Sequence, residues 1–246
     1  MLNTLTSAER LIVAADFKGT GWNGKESVKA EVLALADSLK GTGVYLKVNS
    51  ALRVCGYDLI GEIQSRGLRV FADLKLFDIG ETLSTDGVLL KEMNPELLTT
   101  VCVAGISAVQ ALKAELPDTE VLGVTVLTSL KDTDTQAMFH ETVEGAVMKF
   151  ALLAETAGLD GLICAPTDIA SIRSVVKRKM TFNTPGIRPT WAIVPGDDQN
   201  PERIMTPAKA IKAGANRIVV GRPIVRAEKP YNAVMRTIEE IASATA

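Results

Sequence analysis

The stretch Phe71-Ala72-Asp73-Leu74-Lys75-Leu76-Phe77-Asp78-Ile79 places two carboxylates and a lysine inside an apolar run. The mostly apolar run 68–72 predicts a buried strand, and side chains on a strand alternate between its two faces. Asp73 and Lys75 are therefore expected to share a face, with Asp78 in the loop or helix start beyond them. Because buried charge is costly unless it is paired, this pair is either an ion pair at a solvated strand end or a reaction centre.

The composition of the 246-residue chain narrows the possible functions. A net charge of −2 gives no reason to expect nucleic acid as a partner. The single histidine, His140, excludes a histidine-based triad and a multi-histidine metal site. Cys55, Cys102 and Cys164 lack metal-ligand spacing and are expected as free thiols in a reducing cytoplasm. No signal peptide or run of about 20 apolar residues is visible, so we expect a cytoplasmic protein without a membrane partner.

Eight apolar, β-branched runs alternate with helical patterns along the chain. The runs predicted as strands are 11–15, 44–48, 68–74, 98–103, 121–127, 161–165, 180–184 and 217–221. The clearest helical patterns fall at 27–39, 142–157, 207–213 and 231–244. This alternation predicts an α/β fold with a parallel sheet, and eight units are typical of a (β/α)8 TIM barrel, here one domain over residues 1–246. The alternative, an open doubly wound sheet, usually shows a G-x-G-x-x-G turn after its first strand, and this sequence does not.

Charged residues gather at the carboxyl ends of the first three predicted strands. Asp16 follows the first strand, Lys47 lies near the end of the second, and Asp73 and Lys75 end the third. In a barrel these ends meet at the face where active sites form. Stability alone hardly explains charged residues at three successive strand ends. This set therefore favours a reaction centre over a solvated strand end.

The loops after the seventh and eighth strands carry residues suited to an anion. The seventh strand ends in Thr184-Pro185-Gly186-Ile187-Arg188 and the eighth in Val219-Val220-Gly221-Arg222-Pro223. Glycine lets the backbone approach a ligand closely, and arginine presents a planar fork that matches phosphate. Since these loops are the frequent phosphate site of such a barrel, we expect a small phosphorylated metabolite as substrate. The irregular stretch 189–207 is typical of a lid.

Taken in order, these motifs resemble the orotidine 5′-phosphate decarboxylase family from Asp16 to about Pro230. The D-x-K-x-x-D-I run resembles the family signature. The segments that resemble its later motifs are 126–129, 184–188, 197–199 and 218–224. Two similar barrels, 3-keto-L-gulonate 6-phosphate decarboxylase and hexulose-phosphate synthase, share the signature. The P-G-I-R, D-D-Q and V-V-G-R-P-I segments favour the orotidylate branch.

The resemblance implies decarboxylation of orotidine 5′-phosphate to uridine 5′-phosphate, the last step of de novo UMP synthesis, without metal or cofactor. It assigns the catalytic set to Lys47, Asp73, Lys75 and Asp78, in which Lys75 delivers a proton to C6. The residues that it assigns to substrate binding are Asp16, Ile79, Thr82, Thr128, Arg188, Gln199, Gly221 and Arg222. It further implies a homodimer in which Asp78, Ile79 and Thr82 reach the neighbouring subunit's site, and a loop at 189–199 that closes over the phosphate.

Two alternative functions remain open at the level of the sequence. A related sugar-phosphate decarboxylase or aldolase would need a magnesium site, and a carboxylate in place of Lys47 would support it. A non-catalytic barrel that binds a phosphorylated ligand would be expected to lack one residue of the catalytic set. All four are present, which favours the decarboxylase.

Overall fold

The computed structural model describes residues 5–19, 24–192 and 205–245, and all of its strands run parallel. Each strand pairs with the next in chain order, and β8 returns to pair with β1, so the sheet closes into a barrel. The strands are β1 Leu11–Ala14, β2 Tyr45–Val48, β3 Arg69–Leu76, β4 Leu97–Val101, β5 Glu120–Val124, β6 Gly161–Ile163, β7 Thr181–Thr184 and β8 Arg217–Val220. The predicted (β/α)8 architecture is confirmed, and the open doubly wound alternative is wrong.

Helices connect the strands and cover the outside of the barrel. They are α1 Gly24–Ser38, α2 Ser50–Cys55, α3 Asp58–Gln64, α4 Gly80–Met93, α5 Ile106–Glu115, α6 Asp132–Phe139, α7 Val143–Thr156, α8 Ile169–Val175, α9 Pro207–Lys212, α10 Arg222–Val225 and α11 Pro230–Thr245. The side-chain oxygens of Thr142 and Thr206 cap α7 and α9, because each accepts a hydrogen bond from a backbone N–H in the first turn. In the described part of the chain, no helix has the length and apolar content needed to cross a membrane.

Alternation along the strands divides the apolar side chains between two cores. Leu46 and Val48 of β2 point outward and pack, with many other residues, in the core between the strands and the helices. The inner core fills the barrel itself and consists of Ile12, Tyr45, Phe71, Leu97 and Leu122. The predicted alternation of β2 is therefore confirmed, and it directs Lys47, two positions after Tyr45, toward the barrel interior.

A buried ion pair fills the barrel at the amino-terminal ends of the strands. Arg217 of β8 donates hydrogen bonds of 2.9 and 3.0 Å to Glu120 of β5 and one of 3.2 Å to Asn183. Its guanidinium also lies over the ring of Tyr45, 5.2 Å from the centroid. Burial by itself lowers the pKa of Arg217, but Glu120 outweighs burial and raises it. With this end filled, a ligand approaches the interior from the opposite end.

Candidate active site

A cavity of about 490 Å³ opens at the carboxyl-terminal ends of the strands. The charged residues that line it are Asp16, Lys18, Lys47, Asp73, Lys75, Arg188, Arg222 and Arg226. Its neutral lining includes Phe71, Val124, Val126, Thr128, Ile163, Cys164, Gly221 and Val219. The cavity thus brings together predicted site residues from both halves of the barrel.

Both lysines of the predicted catalytic set contact the same carboxylate oxygen. Lys75 Nζ lies 2.7 Å from Asp73 Oδ2, and Lys47 Nζ lies 3.3 Å from that atom. Lys47 Nζ also lies 2.9 Å from Asp16 Oδ1, which extends the network to the end of β1. The side chains of Lys47 and Asp73 are 9% and 10% exposed, whereas that of Lys75 is 30% exposed. The network therefore has a buried half and one lysine that is accessible from the cavity.

Burial and neighbouring charge act in opposite directions on the pKa values of this network. Burial alone raises the pKa of the Asp73 carboxyl, but the ammonium groups of Lys47 and Lys75 outweigh it and hold that pKa below its usual range. Burial alone lowers the pKa of Lys47, but Asp73 and Asp16 outweigh it and raise that pKa. Asp73 and Lys47 are therefore both charged at neutral pH.

An irregularity in β3 gives Lys75 its position. Between Ala72 and Leu76, β3 advances four residues while the partner strand β4 advances two. Lys75 is one of the extra residues of β3 and has a φ of 51°. This left-handed conformation costs about 1–2 kcal/mol for a residue with a side chain. Its backbone N–H donates a 2.9 Å hydrogen bond to Thr99 Oγ1 of β4. The expected contact between Asp73 and Lys75 is present, although the regular alternation behind that expectation is interrupted at Lys75.

Basic side chains gather in the cavity wall at the ends of β7 and β8. Arg188 is 9% exposed, and its Nη1 donates a 3.0 Å hydrogen bond to the Ile187 carbonyl. Gly186 precedes this segment with a φ of 76°, a conformation that favours glycine. Arg222 and Arg226 line the cavity from the segment that follows β8. Both Gly-Arg segments therefore reach one cavity, and their role in binding phosphate stays a prediction.

The apolar part of the lining was not predicted from the sequence. Phe71 and Ile163 extend the inner core of the barrel into the cavity wall, where Val124 and Val219 also lie. Strand alternation is the signal that could have found them, since Phe71 lies two positions before Asp73 on the same face. Lys18 and Arg226 were also missed, because a basic residue in a polar loop is not distinctive.

This arrangement suits a reaction that develops negative charge next to Lys75. An ammonium group held by a carboxylate can stabilise such charge and then donate a proton to the same atom. The apolar wall strengthens these interactions, because a lower local dielectric constant weakens screening. The arginines at the ends of β7 and β8 can hold an anionic group of the same ligand.

Several predicted site residues are not brought into this cavity. Asp78 and Thr82 are exposed, and Ile79 is 70% exposed. Their action across a subunit interface stays a prediction, and Gln199 lies outside the described residues together with the rest of 193–204. Within the described ranges, no cluster of three or more His, Cys, Asp or Glu side chains could hold a metal ion. The expected independence from metal also stays a prediction.

Comparison with known proteins places the chain in a family. The model of the Orotidine 5′-phosphate decarboxylase / HUMPS family matches residues 9–237, a range that contains the whole cavity lining. The chain belongs to this family. Among curated members, the orotidine 5′-phosphate decarboxylase of Synechocystis sp. is 37% identical over 220 residues, which cover 86% of this chain and 93% of that protein. The enzyme of the same name from Rhodopseudomonas palustris (strain BisB5) is 37% identical and covers 96% of both chains.

Solved structures agree with this family assignment. The crystal structure of orotidine 5′-phosphate decarboxylase from Lactobacillus acidophilus superposes with a TM-score of 0.74 at 25% identity, over 95% of this chain and 99% of that one. An uncharacterized conserved protein from Geobacillus kaustophilus superposes with a TM-score of 0.77 at 24% identity, over 94% of this chain and 99% of its own. The second likeness concerns the fold alone, since its identity is low. The orotidine 5′-phosphate decarboxylase / HUMPS family thus accounts for both the barrel and its motifs.

Proposed function

We propose that this protein decarboxylates orotidine 5′-phosphate to uridine 5′-phosphate and CO2, the last step of de novo UMP synthesis, with neither metal nor organic cofactor. The observation that carries the proposal is the contact of Lys47 and Lys75 with one oxygen of Asp73, in a cavity that arginines also line. Curated relatives named for this activity match most of the chain. A sugar-phosphate enzyme of the same family is less compatible, because Lys47 occupies the place where a metal-binding carboxylate would be expected.

In the proposed reaction, the bond between C6 and the carboxylate breaks, CO2 leaves, and the electron pair stays on C6. Asp73 lies against the substrate carboxylate, and repulsion between the two anions disfavours the substrate more than the product. The ammonium group of Lys75 stabilises the charge on C6 and then transfers a proton to it. Lys47 keeps Asp73 ionised and, with Asp16, contacts the ribose.

The remaining assigned residues hold the substrate away from the reacting bond. Thr128 contacts the pyrimidine, while Arg188, Gly221 and Arg222 bind the phosphate, joined by Gln199 from the loop 189–199 as it closes. Binding energy from the phosphate can position the base and organise the site for the transition state. This division explains how a site with few groups near C6 can still be selective for a nucleotide.

The proposal is tested by following the ultraviolet absorbance of orotidine 5′-phosphate with chelator-treated protein. We expect the orotate signal to be lost with the wild type but not with Lys75→Ala. The control Lys179→Ala should behave as the wild type does, because Lys179 is an exposed residue in the segment that precedes β7. Signal loss that requires added metal would contradict the cofactor-free reaction. An inactive wild type would overturn the decarboxylase, and a sugar phosphate with magnesium would be assayed next.

We further propose that two copies of the chain form a homodimer with shared active sites. Two large apolar side chains lie exposed directly beyond β3, since Phe77 is 65% and Ile79 is 70% exposed. Val88 and Leu89 of α4, the helix that follows, are also exposed, at 49% and 53%. A second copy of the chain would cover these side chains and carry Asp78 toward the partner's cavity.

Mixing two inactive variants tests the shared sites. Lys75→Ala and Asp78→Ala each remove one group, so a mixed dimer contains one intact site if Asp78 acts across the interface. After subunit exchange, random pairing should restore about a quarter of wild-type activity. No recovery, with exchange demonstrated by a tagged subunit, would place Asp78 in its own subunit's site.

We also propose that the enzyme works in the cytoplasm, without nucleic-acid or membrane partners. Cys55, Cys102 and Cys164 are all free thiols, as expected in a reducing compartment. Burial raises the pKa of the Cys102 thiol to about 12, which leaves it unreactive. Cell fractionation with an antibody to the chain would check the compartment.

A further inference from the structure

A fully buried threonine connects the side chain of Asp73 to the backbone of Lys75. Thr99 lies on β4 with 0% exposure and does not line the cavity. Its hydroxyl donates a 2.9 Å hydrogen bond to Asp73 Oδ1 and accepts one of 2.9 Å from the backbone N–H of Lys75. One hydroxyl therefore links the catalytic carboxylate to the backbone of the catalytic lysine.

The two oxygens of Asp73 have separate partners. Oδ2 receives the ammonium groups of Lys75 and Lys47, at 2.7 and 3.3 Å, whereas Oδ1 accepts the hydroxyl of Thr99. A carboxylate held at both oxygens cannot turn about its terminal bond without losing one set of contacts. The Thr99 hydroxyl therefore keeps Oδ2 directed at both lysines.

The second contact supports an unusual backbone. Besides Lys75, the described residues that have a side chain and a positive φ are Asn94 and His140. Those two residues follow the last turns of α4 and α6, where a left-handed residue is common. Lys75 instead lies inside a strand, at the point where β3 and β4 lose register. Such a conformation persists where the surroundings hold it, and the hydrogen bond to Thr99 does so.

We propose that Thr99 is a positioning residue for the decarboxylation, which acts by fixing the orientation of Asp73 and the backbone of Lys75 through one hydroxyl. The inference rests on the proposed function. Without the hydroxyl, Asp73 can rotate and Lys75 Nζ is no longer held at one distance from the reacting carbon. Small displacements of reacting groups lower the rate of the chemical step more than they weaken substrate binding.

The test compares two threonines that are neighbours on β4. Thr99→Val keeps the shape of the side chain and removes the hydroxyl, and we expect kcat to fall about 10- to 100-fold with KM changed less than about threefold. Thr99→Ser restores the hydroxyl and should keep kcat within about threefold of the wild type. Thr100→Val is the matched control, because Thr100 is equally buried. Its hydroxyl donates a 2.9 Å hydrogen bond to the carbonyl of Leu76, which belongs to the same irregular part of β3.

A pH profile separates positioning from a merely structural role. The hydrogen bond from Thr99 is one of the interactions that hold the pKa of Asp73 low, so Thr99→Val should move the acid limb of kcat/KM to higher pH. Thr100→Val should leave that limb in place. Should Thr99→Val fail to fold, Thr99→Ala is measured at a temperature where it is folded.

The outcomes distinguish this inference from the proposed function. An inactive wild type would overturn the function itself. An active wild type with an unchanged Thr99→Val would overturn the positioning role alone. If Thr99→Val and Thr100→Val lost kcat to the same extent, and the acid limb of kcat/KM lay at the same pH in both, Thr99 would have only a structural role. That result would also overturn the inference.

Discussion

The charge of Lys47 depends on its neighbours, because burial alone would lower its pKa. Its side chain is 9% exposed and lies between Asp16 and Asp73. We expect Lys47→Met to abolish activity and to lower the free energy of unfolding by about 1–3 kcal/mol at pH 7, because a buried carboxylate loses one of its partners. Lys75 remains beside Asp73 and limits the loss. Urea denaturation of the two proteins measures the difference, and no loss of stability would contradict the contribution of this ion pair.

The stability difference between wild type and Lys47→Met should depend on pH. Folding lowers the pKa of Asp73. The stability that the Asp73 carboxylate contributes is therefore fully present above the pKa of aspartate in the unfolded chain, about 4, and is lost as the pH falls through the lower pKa of the folded state. Folding raises the pKa of Lys47. The stability that the Lys47 ammonium group contributes is therefore fully present below the pKa of lysine in the unfolded chain, about 10.4, and is lost as the pH rises through the higher pKa of the folded state. The difference should therefore be largest between about pH 5 and 9, and a constant difference from pH 3 to 8 would contradict it.

At the scale of single residues, the sequence predicts charges better than it predicts what holds them. Asp73 and Lys75 are conspicuous because they interrupt an apolar run at a strand end. Thr99 is not, since threonine is an ordinary strand residue. Its hydroxyl reaches Lys75 because β3 loses register with β4, and that change depends on two strands together. A pattern within one strand could not reveal it.

Among the elements, the contact between α4 and α5 depends on a glycine. A Cβ added at Gly87 would lie 2.8 Å from Glu115 Cβ and 3.2 Å from the Leu112 carbonyl oxygen. We expect Gly87→Ala to lower the free energy of unfolding by about 1–3 kcal/mol, because the helices must move apart. Thermal or urea denaturation measures the change.

The matched control is Gly61 in α3. A Cβ added there meets no atom within 4 Å, and alanine favours the helix more than glycine does. Gly61→Ala should therefore raise the free energy of unfolding by about 0.5–1 kcal/mol. If Gly87→Ala also raised the free energy of unfolding, helix propensity would outweigh close packing at Gly87.

The strands were predicted in number and order, while their ends were less accurate. The fifth strand was expected to reach residue 127 but ends at Val124, and the fourth was expected to reach 103 but ends at Val101. After the fifth strand, Val126 and Leu127 extend the apolar run and line the cavity. After the fourth strand, the buried Cys102 extends the apolar run in the same way. An apolar run can therefore extend past the strand, because a strand ends where its ladder of hydrogen bonds ends. The third strand is longer than expected and reaches Leu76, since its irregularity absorbs extra residues.

At the scale of the whole molecule, the charge of the cavity is opposite to that of the chain. The protein carries a net charge of −2, yet six basic side chains and two carboxylates line the described part of the cavity. Fields inside a cleft with apolar walls are screened less than fields at an open surface. The proposed substrate carries a carboxylate and a phosphate, so it should be drawn toward this cavity from a distance.

Ionic strength and one exposed lysine test this attraction. Lys18 lines the cavity beyond β1, and its side chain is exposed. We expect Lys18→Gln to lower kcat/KM by about two- to tenfold at low salt with kcat unchanged, because it weakens the field that guides substrate inward. The difference should shrink as salt shortens the Debye length from about 30 Å at 0.01 M to about 8 Å at 0.15 M. Lys179→Gln changes the same charge before β7, at the other end of the barrel, and should have no such effect. If Lys18→Gln responded to salt as the wild type does, Lys18 would not contribute to substrate capture, and a wild-type kcat/KM independent of salt would rule out attraction by the cavity.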